Sequence, residues 1–95
     1  MTFYHGTTEE AWEQIQREGI LFGRRCVLNN DGTISHEVDR CTYLAVDKEE
    51  AQQYGSVILE VEYDPQANPK HNNYIEGCWQ VRVYEPIGVD KVRKI

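Results

Sequence analysis

Residues 42–63, TYLAVDKEEAQQYGSVILEVEY, decide how this chain is read. Thr42–Val46 (TYLAV) is a short apolar run with the composition of a buried strand. Asp47 and Glu50 follow with the spacing of a capping box, in which each side chain answers an unpaired backbone N–H at a helix start. They predict a short helix that ends near Gly55. In Ser56–Tyr63 (SVILEVEY), Val57, Leu59, Val61 and Tyr63 alternate with Ile58, Glu60 and Glu62, the period of a strand with one face in a core.

Working outward, Thr2–His5 is β-prone and Gly6 is expected to end it. Thr7 with Glu10 again fits a capping box. Ala11, Trp12 and Ile15 recur at helical spacing and Gly19 suits a C-cap, so residues 8–18 are predicted as an amphipathic helix with Trp12 as a core anchor. Ile20–Phe22 is a short apolar segment. Residues 23–41 read as a long loop, with a turn signal at Asn29-Asn30-Asp31-Gly32. On the other side, residues 64–77 are a polar loop with two prolines. Trp79–Tyr84 is a strand with Val81 and Val83 on one face, and Val89–Ile95 closes the chain as a turn and a last strand. The order β-α-loop-β-α-β-loop-β-β is α+β, with mostly antiparallel sheets and two short helices, not a regular βαβ series. At 95 residues it is expected to be one domain, 1–95.

Lys+Arg number 10 against Asp+Glu 16, a formal charge of −6. Duplex binding rests on neutralising phosphates, so this balance argues against it. Arg24, Arg25, Arg40 and Arg82 remain as a local basic patch, enough for the pyrophosphate of a dinucleotide. The N-terminal MTFYHGTTEE lacks the basic and apolar regions of a signal peptide. No apolar run approaches the ~18 residues of a membrane span. Three cysteines, Cys26, Cys41 and Cys78, show no Cys-x-x-Cys spacing and are expected to be reduced thiols in a cytoplasmic protein. His5, His36 and His71 are not paired at ligand spacing, so no metal is expected.

Three features carry possible chemistry. His5-Gly6-Thr7 sets a ring nitrogen beside an exposed backbone, able to hold a ribose hydroxyl and a carboxamide together. Its plainer reading is a turn histidine beside a glycine needed for backbone freedom. Tyr43 and Tyr54 are separated by a strand end and a short helix, which can turn two phenol rings toward one slot for a flat ligand. Their plainer reading is two core tyrosines. Gln80 follows the Gly77-Cys78-Trp79 corner and offers an amide and a carbonyl to a hydroxyl. Ser35-His36 is too local for a nucleophile–base pair, and no P-loop, G-x-G-x-x-G or H-E-x-x-H is present.

Taken together, FYHGTT, TYLAVDKEEAQQYG and WQVRVYEPI resemble the ADP-ribosyltransferase superfamily in its diphtheria-toxin and poly(ADP-ribose) polymerase branch, over residues 3–22 and 41–95. That branch carries a His, a Tyr and usually a Glu on separate strands. His5 matches the histidine in an H-G-[ST] setting, Tyr43 the strand tyrosine and Tyr54 the second stacking tyrosine. Gln80 falls where the glutamate is expected. The resemblance implies a small ADP-ribosyltransferase-like fold with NAD as substrate. His5 would bind the 2′-hydroxyl of the nicotinamide-side ribose. The Gly6 backbone would pair with the carboxamide, with Thr7 beside it, and Tyr43 and Tyr54 would sandwich the ring. His5, Tyr43 and Gln80 would be the catalytic set.

The sequence departs from that pattern twice. Gln80 lacks the charge a glutamate would set beside a cationic sugar, and Ala51 stands where polymerase relatives have a nicotinamide-binding serine. Glu76 could restore a carboxylate only in a shifted alignment. The implied function is a mono-ADP-ribosyltransferase passing ADP-ribose from NAD to an acceptor, protein before nucleic acid. The alternative is a non-catalytic module of the same fold that binds NAD, ADP-ribose or a protein. Intact His5, Gly6, Tyr43 and Tyr54 favour the first; Gln80 favours the second.

Overall fold

Alternating apolar residues dictate a sheet whose buried face is the centre of the molecule. The computed structural model describes residues 1–23 and 41–95. In chain order the elements are β1 (Thr2–Thr7), α1 (Glu9–Glu18), β2 (Ile20–Leu21), β3 (Thr42–Ala45), α2 (Lys48–Ala51), β4 (Val57–Glu62), β5 (Gln80–Val83), β6 (Ile87–Gly88) and β7 (Val92–Lys94). Single 3-10 turns cover Gln52–Tyr54, Pro69–His71 and Val89–Lys91. Five strands form one antiparallel sheet in the order β5-β3-β1-β4-β7, and β2 pairs with β6 in a second, two-stranded sheet. The class is α+β, and no described helix is long and apolar enough to cross a membrane.

The alternation read in β4 is realised. Val57, Leu59 and Val61 face the main core with Phe3, Leu44, Val81 and Val83, while Ile58 turns the other way and packs with Ala45 and Ala51. Glu60, on that second face, pairs with Arg93 of β7. Trp12 is half-buried against the main core, as expected of an anchor.

Several local readings are corrected. Gly6 does not end the first strand; β1 runs on to Thr7, because Gly6 and Thr7 still pair with Ile58 and Val57 of β4. The cap of α1 is therefore Thr8, whose hydroxyl accepts from the Ala11 N–H at 3.1 Å. Thr7 is consumed by the sheet. Gly19 caps the far end in the left-handed region at φ 77°, as expected. Asp47 starts α2 without a side-chain cap bond, and Glu50 instead accepts from Gln53. The pairing of β6 with β2 was not read from the sequence, since two-residue strands carry no periodicity. Cys41 is disulfide-bonded and Cys78 is free, which corrects the expectation of three reduced thiols. The expected loop at 23–41, with Arg24, Arg25, Ser35, His36 and Arg40, lies outside the described residues apart from its two ends.

The two ends of that stretch meet. Gly23 donates its N–H to the Thr42 hydroxyl at 2.8 Å, and a Cβ on Gly23 would sit 2.0 Å from the Cys41 carbonyl oxygen. This contact fixes where β3 begins and hence where Tyr43 lies.

Candidate functional site

Tight backbone packing builds the site. A Cβ on Gly6 would lie 1.9 Å from the Ala51 carbonyl oxygen, and one on Gly55 would lie 2.1 Å from the Thr7 carbonyl oxygen. Only glycine at both positions lets the α2 segment lie directly on β1. That contact brings the 3-10 turn ending at Tyr54 over the strand carrying His5.

The sheet opens at the same place. β1 pairs with β4 along its whole length, but its ladder with β3 has a single rung, Tyr4 opposite Ala45. Past that rung the strands part, and a cleft of ≈ 140 Å³ lies in the gap, lined by Tyr4, His5, Gly6, Tyr43, Ala45, Ala51, Tyr54 and Gln80. His5 spans the gap: its Nδ1 is 2.8 Å from the Tyr43 carbonyl oxygen. A carbonyl only accepts, so Nδ1 carries the proton and donates. Burial holds the His5 pKa below the ordinary histidine value, opposed in smaller measure by the same hydrogen bond. The ring is therefore neutral at neutral pH, and Nε2 keeps a lone pair able to accept from a ligand hydroxyl.

Across the cleft, Gln80 Nε2 donates to the Tyr54 hydroxyl at 3.3 Å. This leaves the Gln80 carbonyl oxygen as an acceptor. Gln80 is opposite Ala45 in the β3–β5 ladder and Arg82 is opposite Tyr43, so all four share one face of the sheet. Of the residues expected from the sequence, His5, Gly6, Tyr43, Ala51, Tyr54 and Gln80 line this one cleft. Thr7 does not; it lines a second cavity of ≈ 290 Å³ with His5, Gln14, Glu18, Phe22 and Gly23. His5 is thus common to both. Glu76 sits in the Ile75–Cys78 turn and lines a different cavity, so it does not supply a carboxylate here. Arg82 lines neither the cleft nor the cavity beside it.

Tyr4 and Ala45 belong to the cleft and were not singled out from the sequence. The signal was present for Tyr4, since strand alternation puts it on the face of Gly6. Roomier cavities of ≈ 380 and ≈ 580 Å³ share Met1 and contain none of the cleft residues. Among the described residues no group of three or more His, Cys, Asp or Glu gathers as a metal site would require. No family model, curated protein or solved structure matches the chain.

Proposed function

We propose that this chain is an NAD-dependent mono-ADP-ribosyltransferase, as its resemblance to that superfamily implies. The observation that carries this reading is the convergence of His5, Gly6, Tyr43, Tyr54 and Gln80, from separate stretches of sequence, on one cleft. The cleft is lined by three tyrosines and a neutral histidine, a chemistry suited to a flat heteroaromatic ring with hydroxyls attached.

Size favours a two-part ligand. A site for a drug-sized molecule usually measures about 300–1,000 Å³. The ≈ 140 Å³ cleft falls short of that and admits a single ring, and the ≈ 290 Å³ cavity on the other side of His5 offers separate room for a second part. Nicotinamide would occupy the cleft between Tyr43 and Tyr54, with its carboxamide on the Gly6 backbone. The ribose would lie at His5 Nε2 and Gln80, and the remainder of the dinucleotide would extend past Thr7.

In the transfer, the glycosidic C–N bond breaks and its electron pair goes to the ring nitrogen, so nicotinamide leaves neutral. The acceptor forms the new bond at the same sugar carbon and gives up its proton if it carries one. Gln80 can hold a ribose hydroxyl but brings no full charge to the cationic sugar, a contribution often worth a few kcal/mol at such centres. That neutrality favours a second reading, a non-catalytic module that binds NAD or ADP-ribose.

Titrating NAD into the wild type and into Tyr43→Ala tests the site. Loss of ring stacking should cost about 1–3 kcal/mol, several-fold or more in affinity. Equal affinity in the two proteins removes Tyr43 from it. Incubation with NAD labelled in the adenosine half and a cell lysate then separates transfer from binding alone.

A further inference from the structure

The end of the β3–β5 ladder that bears Gln80 carries an exposed apolar patch. Directly beyond the Ala45–Gln80 rung, the Val46 N–H donates to the Trp79 carbonyl at 2.9 Å, which holds these two residues side by side just past the ends of β3 and β5. Trp79 is 51% exposed, Val46 37%, and Ile75 of the preceding turn 66%.

This exposure does not come from a loosely held segment. Gly77 at φ 90° closes a turn in which the Cys78 N–H donates to the Ile75 carbonyl. Tyr74, next to Ile75, packs edge-on against Phe3 of the core. Asn72 donates to the Pro65 and Asn68 carbonyls, and Asn73 pairs with the backbone of Arg82. Residues 72–79 are pinned on their inner side by these contacts, while Ile75 and Trp79 stay exposed.

The neighbouring charge has one dominant sign. Asp47 adjoins Val46, Glu49 follows two residues on, and Glu76 adjoins Ile75; all are exposed. None is in an ion pair among the described residues, and Asp47 makes no cap bond that would use its carboxylate. Lys48 lies between Asp47 and Glu49 in the chain.

We propose that Trp79, Ile75 and Val46 form a docking surface for a basic polypeptide segment that also carries an apolar side chain. Trp79 presents an aromatic face for a lysine or arginine, the carboxylates supply complementary charge, and Ile75 with Val46 takes the apolar residue. Trp79 and Val46 directly adjoin the cleft residues Gln80 and Ala45 in the chain, so a segment bound here would lie beside the cleft. Only in naming that segment the acceptor does the inference rest on the transferase reading.

The test is fluorescence anisotropy with a short labelled peptide of lysine, arginine and leucine. The same peptide with glutamate in place of the basic residues and a labelled single-stranded oligonucleotide are compared with it. The basic peptide should bind best, and added salt should weaken it. Trp79→Ala should weaken it about five-fold or more, as loss of an aromatic anchor does, and Ile75→Ser should act in the same direction. Asp47→Asn with Glu76→Gln should flatten the salt dependence. Thermal melts should be unchanged, since every altered side chain is exposed.

Equal binding of the acidic peptide, preference for the oligonucleotide, indifference to Trp79→Ala, or a dimer in sedimentation that buries the patch would each overturn the proposal. NAD titrations on the same proteins keep the two readings apart. Peptide binding without NAD binding leaves the surface standing and sinks the transferase, and the converse result does the reverse.

Discussion

His5 and Tyr43 are joined across the gap in the sheet by a hydrogen bond from the His5 ring to the Tyr43 carbonyl, 2.8 Å long. The bond stands where the β1–β3 ladder has stopped, fixes the tautomer of the ring and turns Nε2 into an acceptor.

Because burial lowers the His5 pKa in the folded state, the unfolded chain binds more protons than the folded one as pH falls below the ordinary value of 6.5. Stability contributed by the neutral ring is therefore fully present above pH 6.5 and declines below it, until the folded pKa is reached. Thermal melts from pH 7.5 to 5 should show a falling Tm in the wild type and a shallower fall in His5→Gln. Parallel curves would mean that the ring does not titrate differently on folding. NAD affinity should hold over that interval, because the folded ring is still neutral there, and should fall only as the pH passes below the folded pKa, where a protonated Nε2 no longer accepts.

Gly6→Ala should destabilise the protein by about 1–3 kcal/mol, the usual range for forcing a methyl group into a packed site. The added carbon meets a backbone carbonyl, Ala51 O, and no flexible side chain that can swing away. Denaturant melts measure the loss. A variant as stable as wild type would show that the α2 segment does not bear on β1 as described.

Thr8→Ala should cost about 1 kcal/mol, because its hydroxyl caps the Ala11 N–H at the start of α1. Thr7→Ala removes no cap. If the two variants melt in the reverse order, the helix begins one residue earlier, as the capping-box spacing alone would suggest.

Gln80→Glu should leave NAD binding nearly unchanged while raising NAD hydrolysis about 10-fold or more. About 1.4 kcal/mol of added transition-state stabilisation suffices for that, and the charge acts mainly on the cation that develops during cleavage. A wild type already active and not improved by the change would show that the charge is not needed. A variant that binds NAD and never turns it over supports the non-catalytic module.

The sequence by itself determined the elements that have a period. Val57, Leu59 and Val61 against Glu60 and Glu62 fix which face of β4 is buried, because alternate strand side chains must point to opposite sides. Gly19 fixes the end of α1, because a left-handed turn excludes most side chains. His5, Gly6, Tyr43, Tyr54 and Gln80 could be singled out as residues with chemistry to offer.

What only the tertiary structure decided is whether those residues meet. Their meeting depends on Gly6 and Gly55 letting α2 lie on β1, on the β1–β3 ladder stopping after Tyr4 and Ala45, and on β5 adding beside β3 with Gln80 opposite Ala45. Each is a contact between residues distant in the chain and leaves no periodic trace in it. The same holds for the cap of α1, where competition from β4 for Thr7 moves the helix start to Thr8. Local spacing states what a residue is able to do; long-range packing selects which of those options the fold uses.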